Sequence, residues 1–188
     1  MWPFNDPIPK FKRSEWLHWR DLDQDGEDTR QEVLAKESLA PVVKGDNVLI
    51  ESGLWHCPYT GRIITTAKRI DIDHVIALGE AHRMGGHAWT REQKQAFAND
   101  PLNLLAVYGS SNRAKSDHDS FEGMPPNIAI WGRYMIVREE VREKYGLVTS
   151  NAELNAIKFF CSKWDTHKNW IKMGRVRRFL SNWVPGMF

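Results

Sequence analysis

The apolar positions between Lys68 and Asp119 fall into two short runs separated by a long polar connection. Ile70, Ile72, Val75, Ile76 and Leu78, with Asp71, Asp73 and His74 set among them, predict a strand that leaves its sheet near His74. Asn103 to Tyr108, rich in Leu and Val, is bounded by Asn99-Asp100-Pro101 and Gly109-Ser110-Ser111, which predicts a second strand. Ser110 or Ser111 then caps a helix beginning near Asn112, with Asn112 and Lys115 on one face. Strict alternation sends Asp73 and His74 to opposite faces, so shared duty in one site predicts a bulge or break there.

The flanking pattern adds smaller elements. Residues 1–10, with three prolines, predict an extended arm, and 13–20 a short helix. Lys44 to Glu51 reads as a strand, Trp55 to Gly61 as an aromatic turn, and Arg62 to Thr66 as a β-branched strand. In the connection, Leu78 to Met84 predicts a helical turn, Gly85-Gly86 a break, and the Thr90/Gln93 capping box a helix to Ala98. Ile130, Trp131, Tyr134 and Val137 are spaced for a helix over Ile128 to Lys144 that stops at Gly146. Ser150 and Glu153 open a further helix through Trp164. The sum is an α+β chain with one domain over 1–164, which includes the acidic segment near its start, and a tail over 165–188. That tail carries Lys168, Lys172, Arg175, Arg177 and Arg178 among Trp170, Phe179 and Trp183. It suits contact with phosphates and bases, or an amphipathic helix with solvated charges.

The chemistry sits on the two runs. Asp73 offers a hard anionic oxygen and Asn112 a neutral one, a set suited to Mg2+ or Mn2+. His74, with an ordinary pKa of about 6.5, can take a proton from water near neutral pH as a general base. A second group lies upstream. Asp21, Asp23, Asp25 and Gly26, with Glu32 at the twelfth place, follow the spacing of a calcium loop. The alternative is an acidic turn capping the next helix. Glu80 is a candidate for orienting His74.

Composition changes this picture little. Hydrophobic content of 41% and charged content of 27% exclude a disordered chain. A formal charge of +2 does not by itself argue for nucleic acid. Two cysteines, Cys57 and Cys161, are too few for a disulfide framework or a zinc site. The first residues lack a basic segment followed by an apolar stretch, and no run approaches membrane-spanning length, so the expected location is cytoplasmic.

With these residues in view, the chain resembles the HNH endonucleases, with their ββα-metal core. It is similar in particular to a group of small bacterial and phage nucleases that share Asp28-Thr29-Arg30-x-Glu32-Val33-Leu34, Trp55-x-x-Pro58-Tyr59-Thr60-Gly61, the Asp71-Ile72-Asp73-His74-Val75 core and Pro125-Pro126-Asn127. The likeness spans roughly residues 12 to 160. It implies a metal-dependent DNA endonuclease with Asp73 as metal ligand, His74 activating water, Asn103 tying the loop and Asn112 completing the metal site. Arg113, Lys115 and Arg30 are the expected contacts to the substrate backbone. The paired CxxC knuckles of many relatives are missing, and Asn112 stands where other members have His, which makes His118 a rival ligand. A binding module that has lost cleavage is the alternative function, and a calcium-regulated interaction protein a third.

Overall fold

The computed structural model describes residues 7–115 and 124–148. His118, the expected helix through Trp164 and the tail over 165–188 lie outside the described residues.

Helix α1 (Thr29–Glu37) starts where Asp28, in extended conformation, accepts a hydrogen bond from the Gln31 N–H. It buries Val33 and Leu34. Strands β1 (Val43–Lys44), β2 (Ile50–Cys57) and β3 (Arg62–Thr66) form an antiparallel sheet in that order. The expected strand over Lys44 to Glu51 is thus a hairpin turn. Gly45 N–H bonds to Leu49 O and Val48 takes φ +65°, which reverses the chain before Ile50. Trp55, expected in a turn, lies within β2, because its indole N–H reaches the Leu34 carbonyl of α1 at 2.8 Å and draws the strand onto the helix. The short helix expected over 13–20 is a single 3-10 turn, Arg13–Glu15.

The second sheet pairs β4 (Ile70–His74) with β5 (Leu104–Tyr108), antiparallel, with Asp73 opposite Leu105 and His74 opposite Leu104. The ladder runs without a register shift, so the expected irregularity at Asp73 and His74 does not occur. β5 buries Leu104 to Val107. Its outer edge is closed: the Ala106 N–H donates to the Glu37 carboxylate at 2.9 Å, and the Tyr108 N–H to Cys57 Sγ at 3.1 Å.

Between these strands lie α2 (Leu78–Arg83) and α3 (Arg91–Ala98), the latter opened by the Thr90/Gln93 capping box. Helix α4 (Gly109–Lys115) follows β5 directly. It starts earlier than Asn112, and the Ser111 hydroxyl bonds back to the Tyr108 carbonyl rather than capping. Helix α5 (Trp131–Tyr145) buries Tyr134, Val137, Arg138 and Val141 and ends at Gly146, whose φ of +62° suits glycine. The architecture is α+β: two small antiparallel sheets with helices packed around them.

Candidate active site

Side chains alternate along a strand, so Asp71 and Asp73 share one face of β4. Helix α4 crosses that face. Asn112 Nδ2 donates to Asp71 Oδ2 at 3.4 Å, and one turn on, Lys115 Nζ donates to the Asp73 carboxylate at 3.1 Å. Gly109 permits this approach, since a Cβ there would stand 3.0 Å from Asp71 Oδ1. Lys115 also donates to the His74 carbonyl at 2.8 Å, and the Tyr59 hydroxyl donates to Asp73 at 2.5 Å. The Lys115 and Asp73 side chains are 2% and 6% exposed. Burial alone would depress the Lys115 pKa, but the facing carboxylate outweighs it and leaves the ammonium pKa raised. Burial, and then the Asp73 charge, push the Tyr59 phenol well above its ordinary value.

His74 occupies the opposite side of the strand. Its Nε2 lies 2.9 Å from the Ala98 carbonyl at the end of α3. A carbonyl only accepts, so Nε2 carries the proton and Nδ1 keeps its lone pair. The Trp19 ring stacks on the imidazole, with centroids 5.6 Å apart and planes at 29°. Asn99 secures the Trp19 segment by accepting from Arg20 N–H and donating to the Leu17 carbonyl. Burial holds the His74 pKa down at about 3, with the bond to Ala98 opposing in part.

The chain beyond His74 is tied from several directions. Asn103, with no exposed surface, accepts from Ile76 N–H at 2.8 Å and donates to the Ile76 carbonyl at 3.2 Å. The Val75 carbonyl accepts from Tyr134 and from Arg138, and Arg138 pairs with Glu80 at 2.5 Å. Glu80 therefore serves Arg138 rather than orienting His74.

The structure gathers Asp73, Lys115 and Tyr59 in one cluster and Asp71, Asn112 and Arg113 in another beside it, with His74 packed apart against Trp19. Two expected substrate contacts are corrected. Lys115 points inward, because the buried Asp73 carboxylate requires a counter-charge. Arg30 is engaged with the Ala67 and Ile70 carbonyls at 3.3 and 3.2 Å, which buttresses the start of β4. Arg113 stays at the surface, its side chain 71% exposed, 3.4 Å from Asp71. Tyr59 and Trp19 carried no local signal for their contacts to Asp73 and His74.

In the acidic loop, the Asp21, Asp23 and Asp25 carboxylates converge within 4.8 Å of one another, exposed to solvent. Asp21 also accepts from Gly26 N–H, and Asp25 from Glu27 N–H. Burial, followed by the charges of Asp23, Asp25 and Asp21, raises the Glu32 pKa.

Residues 31–157 match the family described as the C-terminal domain of GmrSD restriction endonucleases. An "Uncharacterized secreted protein" of the fungus Arthroderma benhamiae is 34% identical over 153 residues, which cover 80% of this chain and 74% of that protein. No solved structure matches. The expectation of a cytoplasmic protein is overturned by this relative, which is named as secreted. No helix among the described residues is long and apolar enough to cross a membrane. At the level of the family, the match implies a nuclease-related function, a class whose HNH members use divalent metals and whose restriction endonucleases act on DNA. The chain belongs to the family of the GmrSD restriction endonuclease C-terminal domain, an HNH-type nuclease domain.

Proposed function

We propose that this chain is a metal-dependent endonuclease that hydrolyses DNA phosphodiester bonds, with His74 as general base. The observation that carries this reading is the 2.9 Å contact between His74 Nε2 and the Ala98 carbonyl, from which the imidazole tautomer follows. With Nε2–H held by the Ala98 carbonyl, the lone pair on Nδ1 is available for a proton from the attacking water. When that proton arrives, the Ala98 carbonyl supports the imidazolium, and an incoming anionic phosphate beside the ring raises its basicity further. Asn103 keeps the segment after His74 in place.

The donor set fits a hard divalent cation. Asp73 and Asn112 supply oxygens, and the Lys115 ammonium on Asp73 marks a carboxylate that needs positive charge in the folded protein. Asp73 and Asn112 would hold Mg2+ or Mn2+, which would stabilise the charge developing on the scissile phosphate. Arg113 is the exposed cation best placed to meet the substrate backbone.

A second reading has a specific observation in its favour. Lys115 already neutralises Asp73 and Asn112 already bonds to Asp71, as in a binding module that has lost cleavage. Supercoiled plasmid incubated with Mg2+, with Mn2+ and with EDTA separates the two. The nuclease cuts only with metal; a retarded but uncut band under every condition makes the chain a binder.

The acidic loop is read in the same proposal as a calcium site formed by the converging Asp21, Asp23 and Asp25, with Glu32, at the twelfth place of the loop, as the further ligand. Secretion, which the fungal relative carries in its name, belongs with this reading, because extracellular calcium fills sites with Kd of about 10^-4 to 10^-3 M. Calcium is expected to raise the melting temperature of the wild type and not that of Glu32→Ala. An unchanged wild-type melting curve removes the site.

A further inference from the structure

We propose that the cleft between β3 and the end of β5 seats the DNA backbone a few nucleotides away from the candidate active site. This inference rests on the nuclease reading and adds to it a substrate subsite. The cleft has a volume of about 130 Å³, with Arg62, Ile64, Thr66, Arg69 and Tyr108 in its lining and no carboxylate there. Both arginines are exposed, and neither forms an ion pair among the described residues. The Arg62 guanidinium lies 6.0 Å over the Tyr108 ring, a contact that holds the fork at the cleft.

Two planar cations in a cleft whose lining holds no carboxylate form a site for an anion that carries more than one phosphate. Position relates the cleft to the chemistry. Tyr108 pairs with Ile70, which follows Arg69, and leads directly into α4. Asp73 lies farther along β4, on the order of 13 Å from Arg69 at about 3.3 Å per residue. One strand of DNA advances about 3.4 Å of helix axis per phosphate, so for a duplex axis aligned with β4 the interval corresponds to roughly four nucleotides. Asp71 falls within that interval, and Arg113 of α4, paired with it, adds an exposed guanidinium between the cleft and the site.

The test measures binding of a labelled short duplex in EDTA, where no cleavage intervenes, across a salt series. Arg62→Gln/Arg69→Gln is expected to weaken binding by about tenfold or more and to reduce the slope of log K against log salt by about two, with the circular dichroism melt unchanged. Tyr108→Leu, which frees Arg62, is expected to give a smaller loss. Wild-type affinity and slope in the double variant, together with normal metal-dependent cutting by the wild type, overturn the subsite and leave the nuclease reading in place. A wild type that neither binds nor cuts DNA overturns both.

Discussion

His74→Ala is expected to slow metal-dependent plasmid cleavage by about 10^2 to 10^4-fold, the range of a positioned general base. Added imidazole should restore part of that rate, whereas a packing defect beneath Trp19 would not respond. A variant that keeps a tenth or more of the wild-type rate removes His74 from the mechanism. The same residue sets a pH dependence of stability. Its folded pKa of about 3 lies below the ordinary 6.5, so the unfolded chain binds the extra proton. The stability it contributes is present above pH 6.5 and is lost as pH falls toward about 3. At pH 5 the loss from this group is about 2 kcal/mol. Urea melts of wild type and His74→Ala at pH 7.5 and pH 5 read it as a difference of differences, and equal pH effects in both would exclude it.

Lys115→Met is expected to destabilise the protein by about 3–5 kcal/mol in EDTA, since it strands Asp73 as a buried carboxylate with Tyr59 as its remaining polar partner. Adding Asp73→Asn should recover much of that loss, because the unpaired charge goes with it. Denaturant melts of the two single variants and the double complete the cycle. A Lys115→Met loss below about 1 kcal/mol would mean that the ammonium is solvated rather than buried as an ion-pair partner.

Local pattern carried much of the core. The period of two over Ile70 to His74, the apolar run ending at Tyr108 and the Thr90/Gln93 box each lead to the elements observed, because each depends on neighbours a few residues away. Asn103 stood out through the family resemblance, and the structure places it where its amide meets both backbone groups of Ile76. Errors arose where a distant element intervened. Trp55 was drawn into β2 by the Leu34 carbonyl, and Arg30 was taken up by carbonyls 37 and 40 residues away.

By itself, the sequence determined which chemical groups this protein has to work with: acidic positions of one parity on a strand, an imidazole at its end, and an amide and an ammonium one turn apart on a helix. Tertiary structure alone decided how they are partnered. Asp73 meets Lys115 across 42 residues and Tyr59 across 14, while His74 turns to Ala98 and Trp19. The physical reason is desolvation. Whether Lys115 faces water or a carboxylate depends on how completely β4, α4 and the Tyr59 segment exclude solvent, and no short stretch of chain encodes that.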